Sequence, residues 1–416
     1  MENILSFVWR NNLLKGCKLT LSNGKSVEII SSGNDCNENM IFSDALLRIE
    51  GNPLKMRVAI SPASNEGCDL FVSDNAERGN SETLILDFLD DVEIVRKRLL
   101  SKFEELPCED YIKDLPSLFI TDLITSLAIE RLSEKSNRIN LWRELYNGDW
   151  EEVCYISIAR SLGFGTNGDA FEALAKALPL RFLQKHSDSL FQLEAMLFGV
   201  AGFLGNQEMM HIPYYKRLSN EFAFFQNKFS LKVNDIGLWK FSGVRPSNFP
   251  HQRIAMLAAI IHTSLPLFNK FMDAESDSTL RKIFDVYPSD FWDTHYSFTA
   301  ETPPLRKCLG KAAIDLIIIN SVAPLLYAYS EYIGNQKFAD RAIILLEGCK
   351  AENNAIVRKY TSAGIDCSTA LASQAFIALN NNYCNPRNCV KCKVGYKIFK
   401  EEVKRCTDKK REDEVL

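Results

Sequence analysis

At 416 residues the chain is long enough for two or three domains, each with a core of its own. A charged fraction of 25%, a hydrophobic fraction of 46% and a net charge of −4 are ordinary for a globular protein and exclude a global positive field for nucleic acid. Any nucleic-acid contact would rest on a local patch. The apolar runs over 315–326 and 256–267 are interrupted by Asp315, Asn320, His262 and prolines, and fall short of the roughly 20 residues a membrane helix needs. Met1 to Phe7 carry no basic leader segment. Twelve cysteines without export then indicate reduced thiols in a cytoplasm.

Taken in order, residues 2–14 predict a short amphipathic helix with Ile4, Leu5, Val8 and Trp9 on one side. Strand patterns at 18–21 and 26–30 flank Asn23-Gly24, a strong hairpin signal. Two more, at 45–49 and 54–60, flank Gly51-Asn52-Pro53, and another at 83–88 follows a polar loop over 64–81. After Asp91 the period becomes helical and stays so almost to the end. The expectation is an α+β N-terminal domain over 1–105, a sheet with flanking helices, followed by a large all-α domain over 106–416.

Within the helical part, Asp149 and Asp169 are placed to open helices, the first with Glu151 and Glu152 in its first turn. The segment 238–254 differs from its surroundings in carrying Pro246, Pro250 and Gly243. Prolines push Arg245 and Phe249 into extended backbone, and Pro250 is suited to begin a helix whose Ile254, Leu257, Ala258 and Ile261 share a face. Lys240, Arg245, Asn248 and Arg253 form a candidate phosphate-binding patch at that helix start. The alternative is that Arg245 and Asn248 hydrogen-bond loop carbonyls and hold the connector in shape. Tyr214, Tyr215, Phe222, Phe224, Phe225 and Phe229 read as packing along one long helix rather than as a base-stacking platform.

Cys384-x4-Cys389-x2-Cys392 has the character of a metal site, with a proline-containing turn followed by a knuckle suited to zinc or an iron–sulfur cluster. A fourth ligand is wanted. Cys367 and Cys406 lie about 25 Å and about 20 Å away along helical chain. Cys349 ends a helix from which two antiparallel helices return, and is the favoured fourth. Three free thiols are the alternative.

The segments 149–152, 159–167, 191–199, 238–254, 318–326 and 383–392 resemble an uncharacterised bacterial family, a domain of unknown function. The resemblance implies an N-terminal region similar to a PD-(D/E)xK nuclease core, in which strand carboxylates hold a divalent cation. Ile41 stands where the first metal-binding acid is expected, Ala59 at the second and Ser61 at the third group, so the resemblance implies a degenerate centre. A relocated site using Asp44, Glu50 and Asp87 is the alternative, although strict strand alternation turns Asp44 away from the Ile41 face.

The expected function is therefore that of a cytoplasmic, non-catalytic interaction or scaffold protein, with a protein partner, a nucleic-acid contact through the helical part and no membrane. The alternatives are a metal-dependent nuclease with shifted ligands and a small-ligand-binding protein using the central connector.

Overall fold

The computed structural model describes residues 4–36, 41–62, 68–74, 82–84, 89–101 and 106–413. An N-terminal antiparallel sheet precedes a long helical part, as the change of hydrophobic period predicts. The strands are β1 (Lys18–Thr20), β2 (Ser26–Ser31), β3 (Asn34–Asp35), β4 (Ile41–Ile49), β5 (Asn52–Pro62), β6 (Cys68–Asp74) and β7 (Glu82–Leu84). Their order is β1-β2-β4-β5-β6-β7, with β3 also on β4. Val27, Ile29, Ala45, Leu47, Met56, Val58 and Ile60 alternate into the buried face.

Two details depart from the sequence expectation. The β4–β5 hairpin turns at Glu50-Gly51, with φ of 49° and 87°, and Ile49 pairs with Asn52. Asn52 and Pro53 therefore lie inside β5 rather than in the turn. Strand β6 occupies part of the predicted loop and pairs with β5 from Met56 with Asp74 to Pro62 with Cys68.

The described chain divides into two compact units that do not follow the predicted break at 105/106. The sheet unit comprises Met1–Leu123, Lys359–Ile365 and Ile377–Leu416, and the helical unit comprises Ile124–Arg358 and Asp366–Phe376. The first division passes through a single helix, Ser117–Leu145, which no change of composition marks. Helix Lys393–Asp413 belongs with the sheet because its apolar stripe, Ile398, Phe399 and Val403, is buried there. Phe399 meets Phe7 of helix Ile4–Arg10 edge-on at 5.1 Å.

In the helical unit, helix Pro250–Ser264 is buried on nearly all sides, not on the single stripe read from its spacing. Its alanines leave room for neighbours all round. Trp292 stacks on Phe198 at 5.1 Å near its start, and His251 is enclosed by the same aromatic group, where burial pushes its pKa down to about 3. Helix 311–333 is continuous across an internal π turn and is long and apolar enough to cross a membrane, contrary to the sequence estimate. Most of its apolar window is buried within the protein, and its Asp315 pairs with Arg281 at 2.7 Å.

Candidate functional site

The helical unit contains a cleft of about 510 Å³. Arg131, Lys135 and Arg138 line it from helix Ser117–Leu145, at i, i+4, i+7 spacing that sets three cations on one stripe. Arg160, at the end of helix Trp150–Leu162, adds a fourth. The loop that follows is tightly folded. A Cβ on Gly163 would come within 2.4 Å of the Asn167 carbonyl carbon, and Phe164 and Gly165 take positive φ. This loop delivers Gly168 to the cleft as the first residue of helix Gly168–Ala177.

Lys135 is fixed by an irregularity in the facing chain. Pro324 has no N–H to donate to the Asn320 carbonyl four residues before it, and its ring would crowd that carbonyl. The helix takes a π turn at Ile318–Val322 there. Lys135 Nζ donates to the Ile319 carbonyl at 3.2 Å, to Asn320 Oδ1 at 2.9 Å and to Gln374 Oε1 at 2.6 Å. Asn320 is itself oriented by its amide N–H to the Leu316 carbonyl, 3.0 Å, and Gln374 donates onward to Glu352. Burial pulls the Lys135 pKa down to about 7, opposed by the charge of Glu352. All three ammonium protons have acceptors, so the geometry favours the charged form.

Arg160 donates to Asp169 at 2.6 Å and to Glu172 at 2.8 Å. Glu172 also accepts from the Trp142 indole at 3.1 Å and Lys176 at 2.6 Å, which closes that network. The Asp169 side chain is 96% exposed. Its pKa is lowered first by the Arg160 hydrogen bond and charge, then by Arg138 and Lys240. The exposed Asp169 carboxylate thus sits among three cations at a helix N-terminus, while Glu134, paired with Arg131 at 2.9 Å, and Glu352 also line the cleft. Chemically, the arrangement offers positive charge, hydrogen-bond donors and an aromatic wall to an anion.

Residues 74–355 match the family described as a protein of unknown function, DUF2851. The chain belongs to this family. No curated protein and no solved structure matches the chain. The DUF2851 match takes in every cleft residue named above except Gln374, and it ends before Cys384.

The structure brings the predicted connector patch together only in part. Arg253 is buried, donates to Asn248 and stacks on the Phe164 ring at 4.7 Å, so it backs the loop that lines the cleft. Burial lowers its pKa to about 10. Asn167 holds the Lys240 backbone from both sides, accepting its N–H at 2.8 Å and donating to its carbonyl at 2.9 Å. The side chains of Lys240 and Arg245 are exposed. Asn248 and Arg253 are therefore shape-holding residues, and Lys240 reaches the cleft mouth through the charge of Asp169. Sequence reasoning singled out the 159–167 segment but not the Arg131, Lys135, Arg138 stripe, whose spacing was available to it.

In the sheet, Ile41 and Ala59 are cross-strand partners, so the positions assigned to two metal-binding acids do adjoin, without an oxygen ligand at either. A bulge between Phe42 and Ala45 breaks the alternation used for Asp44, since both flanking residues are buried although three apart. Asp44, exposed at φ 55°, returns to the Ile41 side. Glu50 accepts the Ser26 N–H at 3.0 Å from its hairpin turn. Asp87 lies outside the described residues.

Of the predicted cysteines, Cys384, Cys389 and Cys392 line one small cavity in the sheet unit, and the fourth sulfur there is Cys108. Cys349 belongs to the helical unit, where its Sγ accepts from Arg281 at 3.6 Å, and burial raises its thiol to about 12. The chain leaves the helical unit at Lys359 and re-enters it at Asp366, so the two regular returning helices assumed in favouring Cys349 are not both in one unit. Burial raises the Cys389 thiol to about 11, with Cys384 and Cys392 adding to the effect, and it raises Cys108 and Cys384 as well. Among the described residues no three His, Cys, Asp or Glu side chains are already gathered as a metal-ligand set.

Proposed function

We propose that the chain is a non-catalytic binding protein whose working site is the cleft of the helical unit, and that it takes a small anionic ligand bearing a phosphate group. The observation that carries this is the Asp169 carboxylate, held by Arg160 and within the fields of Arg138 and Lys240. It occupies the place a ligand anion would take. A doubly charged phosphate would compete well against one exposed carboxylate, with the Gly168 helix start supplying further N–H donors. The cleft volume is in the range of small-molecule sites. The polar groups are otherwise engaged with one another: Lys135 with three acceptors, and Ser157 with Ser321 at 2.7 Å. What they have to give a ligand is charge. In this proposal the N-terminal sheet is a degenerate nuclease-like module serving interaction, since Ile41 and Ala59 cannot ligate a cation.

Calorimetric titration of the full chain with inorganic phosphate, pyrophosphate and a mononucleotide tests this at two salt concentrations. We expect salt-sensitive binding that Arg138→Ala weakens by about thirtyfold, roughly 2 kcal/mol, within the roughly 1.5–3 kcal/mol of a charge-assisted hydrogen bond. Asp169→Asn should strengthen it by removing a competing negative charge from the cleft mouth, with Arg160 still held by Glu172. No binding of any of the three, or binding only of an oligonucleotide, overturns the small-ligand reading. The second outcome would turn the cleft into a nucleic-acid contact.

A further inference from the structure

Four cysteines far apart in sequence meet in the sheet unit, outside the proposed ligand cleft. Cys108 immediately precedes the short helix Glu109–Lys113, and Cys384 ends the π turn Asn380–Cys384. Between Cys384 and Cys389 the chain reverses through Arg387 at φ 57°, with the Asn385 N–H donating to the Asn380 carbonyl and the Asn388 N–H to Tyr383, both at 2.8 Å. Cys392 closes the knuckle, its N–H shared between the Asn388 and Cys389 carbonyls at 3.2 Å, and helix Lys393–Asp413 begins at the next residue. Gly395 is needed there, because a Cβ would stand 2.1 Å from the Cys389 carbonyl oxygen. The backbone is thus shaped to bring the knuckle down onto the helix start.

All four cysteines line the same cavity, which measures about 20 Å³ and is otherwise walled by groups such as Leu99, Leu106 and Pro107. Cys384 Sγ accepts the Tyr360 hydroxyl at 3.1 Å, and Cys389 Sγ donates to the Leu99 carbonyl at 3.3 Å. A pocket of that volume has room for about one atom-sized body and not for a four-iron cluster. Four sulfurs and no oxygen ligand select a thiophilic ion.

We propose that Cys108, Cys384, Cys389 and Cys392 form a tetrathiolate site for one thiophilic divalent cation of the zinc class. All four stand in the wall of that one cavity, and metal entry would draw their sulfurs together from the hydrogen bonds that Cys384 and Cys389 now make. Four thiols release four protons and one dication enters, giving a centre of net charge −2 with nothing oxidised or reduced. Its place in the fold gives it a structural task. It ties the segment before Glu109 to the start of the C-terminal helix, alongside the hydrogen bond from Cys389 Sγ to the Leu99 carbonyl.

The test is metal analysis of the full chain purified under reducing conditions, followed by cobalt titration of chelator-stripped protein. We expect about one zinc per chain and, with cobalt, the red-region absorption and near-ultraviolet charge transfer of a tetrahedral tetrathiolate. Cys108→Ser should lose the metal or shift the cobalt spectrum to three sulfurs, while Cys349→Ser leaves both unchanged. If Cys108→Ser does not fold, alkylation of the native wild-type chain decides: protection of all four thiols that chelation abolishes supports the site. Metal-free protein with four reactive thiols, an iron–sulfide spectrum, or a cobalt spectrum indifferent to Cys108→Ser overturns the assignment. None of these readouts depends on whether the cleft binds phosphate.

Discussion

Glu194 shows how much a single buried group can govern stability. It is fully buried and accepts from the Tyr214 hydroxyl, from Ser289 Oγ at 3.0 Å and from the Ser289 N–H at 3.3 Å. Burial nonetheless dominates and raises its pKa from 4.5 to about 7. Over that window the folded protein keeps a proton the unfolded chain has released. Stability is then fully present below about pH 4.5 and is lost as pH rises through about 7. Glu152, raised to about 7 while accepting the Leu180 N–H, acts in the same sense. Denaturant midpoints measured across this window should fall with pH in the wild type and fall less in Glu194→Gln. An unchanged slope in the variant would assign the proton elsewhere.

At the scale of the element, the connector and the π turn make opposite cases for what a sequence can disclose. Pro246, Pro250 and Gly243 announced a non-helical connector, and within it Trp239 is packed, 6% exposed, with its indole N–H on the Ala201 carbonyl at 2.9 Å. Trp239→Ala should cost about 3–5 kcal/mol in chemical denaturation, and a loss below roughly 1 kcal/mol would place the ring outside the core. The π turn was not legible. Asn320 and Pro324 were visible, but only the facing Lys135 shows why the Ile319 carbonyl must be freed. Pro324→Ala restores a donor for the Asn320 carbonyl and lets the segment return to α register. We expect phosphate affinity to drop by roughly fivefold, about 1 kcal/mol, without loss of thermal stability. Unaltered affinity would separate the π turn from the cleft. The Asp44 bulge was hidden because one inserted residue in β4 breaks the period-two pattern.

At the scale of the whole molecule, the α+β beginning and helical remainder were readable from the change of period at Asp91, because every turn of helix or pair of strand residues repeats that signal. The allocation of segments to units was not, because Phe399 and Val403 carry nothing local to say which surface they cover. Removing residues 393–416 should therefore loosen the sheet unit while sparing the helical one. Limited proteolysis would show new cuts within 4–101 and a protected fragment spanning 124–358. Cuts confined to the helical unit would contradict the division.

The return of the C-terminal helix also sets a timetable for synthesis. Phe7 leaves the ribosome almost four hundred residues before its ring partner Phe399. At about 5–20 residues per second, the apolar surface that Phe399 covers waits roughly twenty seconds or longer, and the helical unit has time to fold first. A nascent chain stalled before residue 393 would present that surface bare, as a target for holding chaperones until helix Lys393–Asp413 emerges.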